Sequence, residues 1–240
     1  MHYLTLLLLW PIYLAQAIWV KKSTIKLAEP SGDRINQLHT NPELTLLILG
    51  DSAAAGVGVQ HQHEALSGQM VSMLTQDYKL NWQVVARSGY STQNCINKTR
   101  HLINQKKLLT ADVVVISLGV NDVLSPITAT TWVLQVQELC TLLTAELDCK
   151  QIIITSVPPM GRFPALPQPF RWFLGARSRE FNLSLTDWVN TSSLPCEQLN
   201  MEQTLPNAPM ALDGFHPSED VYAHWGNQAG KMIKAKNCTN

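Results

Sequence analysis

The sequence predicts an α/β fold built on a mainly parallel sheet with helices on both faces. Three observations point there. Short apolar runs recur at Leu44–Leu49, Trp82–Ala86, Asp112–Leu118 and Gln151–Val157, and longer helical stretches fill the intervals. Strands alternating with helices of that length imply βαβ units. The size also fits, since 240 residues with 45% hydrophobic content supply the core of one large domain.

Taken in order, residues 1–22 differ from all that follows. Tyr3 to Val20 is apolar except for Thr5 and Gln16, a length at the lower limit for crossing a bilayer, and Lys21 and Lys22 come next. No Lys or Arg precedes the run, as a secretory signal would normally require, although Ala15-Gln16-Ala17 fits a cleavage pattern. The expectation is a retained, membrane-associated helix touching the membrane through residues 3–20, with its side undetermined. A secreted or periplasmic chain after cleavage is the alternative, and Pro11 also permits a helix lying on the membrane or packed on the domain. Residues 23–43, polar with Pro30, Gly32 and Pro42, read as a linker, so the domain is expected over 44–240.

Within the domain, helices are expected at Glu64–Tyr78, Thr92–Leu109, Thr130–Leu147, Trp172–Val189 and Ser218–Lys234. Trp132, Val133, Val136, Leu139, Cys140 and Leu143 recur at helical spacing and read as core. Five prolines between Val157 and Phe170 exclude a helix or a central strand there. The apolar residues between those prolines suit either the rim of an acyl pocket at a strand end or a loop packed on its own domain.

Composition narrows the partners. Eighteen basic residues balance eighteen acidic ones, so no excess positive field points to nucleic acid or to an anionic membrane surface. The five cysteines, Cys95, Cys140, Cys149, Cys196 and Cys238, are odd in number and lack CxxC spacing. That reads as free buried thiols before a Cys140–Cys149 pair, and as neither a disulfide framework nor a zinc cluster. His61 and His63 lack a third ligand, so no metal or other cofactor is expected.

The chemistry is carried by four blocks. Gly50-Asp51-Ser52 stands where the first strand ends, placing a serine at the top of the sheet with small neighbours Ala53, Ala54 and Ala55. No Lys-Ser/Thr follows Gly56 and Gly58, which excludes a Walker loop, and Gly-x-Ser-x-Gly occurs nowhere. Arg87-Ser88-Gly89-Tyr90 follows the second strand, where Gly89 lets a backbone N–H come close to a ligand. Gly119-Val120-Asn121-Asp122 follows the third, where an Asn amide can donate to an oxyanion. Asp213-Gly214-Phe215-His216-Pro217 precedes the last helix; Asp213 can there accept from imidazole Nδ1–H and leave Nε2 to take a serine proton. Each block alone is an ordinary turn or cap.

In this order the four blocks, spanning Gly50 to Pro217, resemble the SGNH (GDSL-type) hydrolases. The resemblance implies a flavodoxin-like three-layer α/β/α sandwich and metal-free cleavage of esters, thioesters, lysophospholipids or sugar acetates. Position by position, it implies Ser52 as nucleophile and Asp213 and His216 as its triad partners. The Ser52 N–H, the Gly89 N–H and the Asn121 amide would then form the oxyanion hole. Ala53-Ala54-Ala55 replaces the family's more usual Leu-Thr/Ser stretch, so substrate is not carried over. The apolar proline-rich segment leads us to expect small-molecule or lipid ester substrates of the acyl or lysophospholipid type. A carbohydrate acetyl esterase and a catalytically silent, membrane-tethered binding domain are the competing readings. Oligomeric state is not legible.

Overall fold

The four apolar runs and two further segments pair into one six-stranded sheet in a computed structural model that describes residues 2–200 and 209–237. The strands are β1 (Ile35–Asn36), β2 (Leu44–Gly50), β3 (Leu80–Ala86), β4 (Val113–Ser117), β5 (Gln151–Thr155) and β6 (Cys196–Leu199). Their order is β1-β3-β2-β4-β5-β6, parallel throughout except for β1, which runs antiparallel to β3. This is the expected α/β fold with a mostly parallel sheet.

Alternate residues of the central strands feed two cores. Leu47, Leu49, Val114, Ile116, Ile152 and Ile154 face one side, where α4 (Thr92–Asn104), α6 (Ala129–Leu147) and α7 (Phe170–Thr191) cover them. Leu46, Ile48, Val113, Val115 and Ile153 face the other, under α3 (Leu66–Leu74) and α8 (Glu219–Asn237). Burial on both faces explains why these strands read as continuous apolar runs. Two short helices, α2 (Ser52–Ala55) and α5 (Val120–Leu124), begin just past the ends of β2 and β4.

Several boundaries shift for identifiable reasons. The helix expected from Glu64 starts at Leu66, because the Glu64 carboxylate instead accepts from the backbone N–H of Gln60 and His61 in the preceding turn. The helix expected to Leu109 ends at Asn104, and Lys106 just beyond it takes a left-handed φ of 53°. The proline-rich segment holds a single 3-10 turn at Met160–Arg162, and Phe170 opens α7. Cys95, Cys140 and Cys149 are buried and free, and half-buried Cys196 is also free. Cys238 lies outside the described residues.

The largest departure is at the N-terminus. Among the described residues no helix is long and apolar enough to cross a membrane. Helix α1 (His2–Ser23) is docked on α7 instead of projecting from the domain. Tyr13, 4% exposed, stacks on Phe173 with ring centroids 4.8 Å apart. The Gln16 amide donates to the Gln168 carbonyl at 2.7 Å and accepts from the Phe170 N–H at 3.1 Å. Residues 23–43 do not form a free linker either. Ser31 pairs with Gln60 and Gln62, the Val84 N–H donates to the Arg34 carbonyl, and β1 extends the sheet. Packing therefore begins before Leu44.

Because Tyr13 fills a site against Phe170 and Phe173, Tyr13→Ala should lower the free energy of unfolding by about 2–4 kcal/mol. Denaturant titration of the full chain measures it, and a loss below about 0.5 kcal/mol would show that α1 is not part of the fold.

Candidate active site

The chain leaves β2 through Asp51 into the first residue of α2, and that turn sets Ser52 at the carboxyl end of the sheet. Asp51 anchors the turn from both ends. Its N–H donates to the Ser117 carbonyl at the end of β4, and its Oδ1 accepts from the Ala53 N–H at 3.0 Å. Because β2 lies between β3 and β4, Ser52 stands where the chain's crossovers change direction, which is where open parallel sheets form ligand crevices.

The partner loop arrives from the other end of the chain. Residues 210–217 close on themselves through Ala211 N–H to His216 O and Gly214 N–H to Ala211 O, both 2.8 Å. Asp213 Oδ1 accepts from the N–H groups of Phe215 and His216, both at 2.9 Å. Its Oδ2 meets His216 Nδ1 at 2.5 Å, and His216 Nε2 lies 3.0 Å from Ser52 Oγ. The structure thus brings Ser52, His216 and Asp213 into one hydrogen-bonded row. Gly58 lets the two loops approach closely: at φ +118°, a Cβ there would sit 2.2 Å from the Pro217 carbonyl oxygen.

Burial and hydrogen bonding act in opposite directions on Asp213. Desolvation alone would raise its pKa, but the bonds from His216 and Phe215 outweigh it and hold the carboxyl below its ordinary value. With Nδ1 protonated and donating to Asp213, Nε2 is left as the acceptor facing the Ser52 hydroxyl.

Gly89 and Asn121 form a second group. The Asn121 Nδ2 donates to the Tyr90 carbonyl at 2.9 Å, which fixes the amide beside the Gly89 turn and leaves its other N–H unused by that bond. Gly89 has φ +84° and nothing within 4 Å of where a Cβ would stand. No hydrogen bond among the described residues joins this group to Ser52. What holds it was not visible in the motifs: Asp122, 1% exposed, accepts from the N–H and hydroxyl of Thr92, whose hydroxyl also accepts from the Trp132 indole. Burial pushes the Asp122 carboxyl up, with the Thr92 bonds opposing.

A cavity of about 650 Å³ opens beside Ser52 and His216. Leu118, Val120, Phe163, Met210, Phe215 and Trp225 make its wall mostly apolar, with Ser117, Thr155, Ser156 and Arg162 as polar points. The proline-rich segment contributes Pro158, Pro159, Arg162 and Phe163, so it is both packed on the domain and part of the cavity wall. His61 and His63 lie elsewhere, with rings stacked 5.5 Å apart, and the described residues contain no group of three metal-ligating side chains.

Residues 48–224 match the GDSL-like Lipase/Acylhydrolase family. The chain belongs to that family. It is a carboxylic ester hydrolase of the GDSL esterase/lipase type. A search of curated proteins returned no match. Among solved structures it is similar to a psychrotrophic esterase from Pseudoalteromonas sp. inhibited by monoethylphosphonate, at 18% identity and TM-score 0.62, covering 82% of this chain and 100% of that one. A lipolytic protein of the G-D-S-L family from Veillonella parvula shares 15% identity at TM-score 0.64, over 79% and 98% of the two chains. A carbohydrate esterase family 2 enzyme from Corynascus thermopiles shares 15% identity at TM-score 0.64, over 83% and 68%. At such identities these likenesses concern the fold.

Asp51 is the titrating group that a GDSL hydrolase built this way should reveal. Burial pushes its carboxyl from 3.8 up to about 7, against the pull of the Ala53 N–H and His216. The folded state then holds a proton that the unfolded chain releases, so stability is full below 3.8 and falls as pH rises toward about 7. Asp51→Asn should flatten that decline. Unfolding free energies of both proteins across this range give the comparison, and parallel pH curves would contradict the assignment.

Proposed function

We propose that this GDSL hydrolase cleaves carboxylic esters through an acyl-enzyme, with Ser52 as nucleophile, His216 as general base and acid, and Asp213 as the group that orients the imidazole. The observation that carries this reading is the row Asp213–His216–Ser52, with contacts of 2.5 and 3.0 Å, beside an apolar cavity. Ser52 Oγ attacks the ester carbonyl as its proton passes to His216 Nε2. The C–O bond to the alcohol then breaks, and His216 returns the proton to the departing alkoxide. Water, deprotonated by the same nitrogen, attacks the acyl-serine; the acyl–Oγ bond breaks, the proton returns from Nε2 to Ser52 Oγ, and the acid leaves.

The tetrahedral oxyanion is assigned to three donors: the Ser52 N–H, the Gly89 N–H and the second N–H of Asn121. Supporting this are the bond that anchors Asn121 to Tyr90 and the open space over Gly89, where a side chain would compete with the ligand. The substrate reading is an acyl chain or lysophospholipid ester, supported by the cavity wall of Leu118, Phe163, Met210 and Phe215. A silent binding domain would have no need of so complete a proton path.

Ser52→Ala and His216→Ala should each reduce kcat on p-nitrophenyl esters at least about 10³-fold. Asn121→Ala should reduce kcat about 10²–10³-fold with little change in KM. An alkyl phosphonate of the class that inhibits the Pseudoalteromonas esterase should label wild type and leave Ser52→Ala unlabelled. Undiminished turnover in Ser52→Ala would end the mechanism, and absence of both labelling and turnover in wild type would favour the silent domain. For substrate, the rate should rise from acetyl to medium acyl chains; a clear preference for an acetylated sugar would replace the acyl reading with a carbohydrate esterase.

A further inference from the structure

Helix α1 meets the domain along one side and leaves the other bare. Its inner stripe of Leu6, Leu9, Tyr13, Ala17 and Val20 recurs every three or four residues and packs on the core at α7. The outer side carries Leu8, Trp10, Ile12, Leu14, Ile18 and Trp19, each between 46% and 79% exposed. Residues 8–19 contain no charged group, and their one amide side chain, Gln16, is used inward on Gln168 and Phe170. A helix on a protein surface ordinarily turns polar residues outward, and six large apolar side chains on one outer face require a cover.

The charge at the end of the helix indicates which cover. Lys21, Lys22 and Lys26 follow the apolar stretch, and no carboxylate precedes Glu29 in the sequence. Glu29 itself is held by Arg34 and by the Ser88 N–H and hydroxyl. A second copy docked face to face would therefore find no acid along α1 to meet the lysines. Anionic lipid headgroups would meet them, and indole rings favour the boundary between headgroup and acyl chain.

We propose that the outer face of α1 is a monotopic membrane-docking surface, lying in the plane of a bilayer that carries anionic lipid. The helix lies flat because its inner side is committed to protein: spanning would draw Tyr13, Gln16 and the α7 residues they bind into hydrocarbon. Trp10 and Trp19 sit at the interface and the lysines rest against phosphates. Gln16 ties this surface to Gln168, in the segment whose earlier residues Pro158, Pro159 and Phe163 wall the cavity. The docking is independent of which residues perform the hydrolysis.

Flotation of the full chain with vesicles of phosphatidylcholine, with and without phosphatidylglycerol, tests this. The wild type should float with the mixed vesicles and far less with phosphatidylcholine alone. Leu14→Glu/Ile18→Glu should lower partitioning more than about tenfold while leaving hydrolysis of a water-soluble short-chain ester unchanged. Should that variant misfold, brominated lipids provide a second measurement: they should quench tryptophan emission of the wild type, and Trp10→Phe/Trp19→Phe should abolish most of the quenching. The proposal is overturned if the wild type does not float, or if the glutamate variant is folded and floats equally. A first residue protected from protease inside the vesicles, meaning a spanning helix, overturns it too. So does a cellular protein beginning after Ala17, or an α1-mediated dimer indifferent to lipid.

Discussion

Strand β2 is buried on both faces and bonded to a parallel neighbour on both edges, so the direction in which the chain leaves it is dictated by everything around it. All seven of its residues are buried, and the pairing with β4 continues one step past the strand through the Asp51 N–H. The nucleophile candidate is the next residue. A serine on a loop could wander by an ångström, whereas Ser52 inherits its position from the register of three strands. The same strand ends bring Gly89 and Asn121 to the same end of the sheet, by way of β3 and β4.

Polar groups near this point are buried at a cost that local bonds offset to different degrees. Asp213 is compensated: three donors from its own turn more than cancel desolvation. Asp51, with the Ala53 N–H and a nearby imidazole to favour its charge, is not, and remains protonated nearer neutrality. Asp122 is also raised by burial, with the Thr92 bonds opposing. The more acidic carboxyl therefore stands behind His216, and the one whose charge burial opposes most stands immediately beside Ser52.

The sequence made the central strands legible because burial on both faces forces unbroken apolar runs, and it made the four polar blocks legible because each stands next to a strand end or the final helix. Strand β6 was not visible: Cys196, Glu197 and Gln198 are only half-buried and show no apolar run. Strand β1 spans two residues, Ile35 and Asn36, too few for any periodicity. The docking of α1 was hidden for the opposite reason, since a segment apolar on every side does not disclose which side is packed. Gln16 read as a flaw in a membrane segment and serves as the polar fastening to α7. The Thr92–Asp122–Trp132 bonds join residues 30 and 40 positions apart, beyond the reach of any local pattern.

The approach of Gly58 to Pro217 joins the beginning of the domain to its end, and Ser52 and His216 are 164 residues apart along the chain. A ribosome delivers the serine early and the imidazole late. Only when the loop carrying His216 folds over the finished sheet does the Ser52 hydroxyl gain its imidazole neighbour. The Ser52–His216 contact is thus withheld until the loop of residues 210–217 has closed over the sheet, so the two side chains meet only in the folded domain.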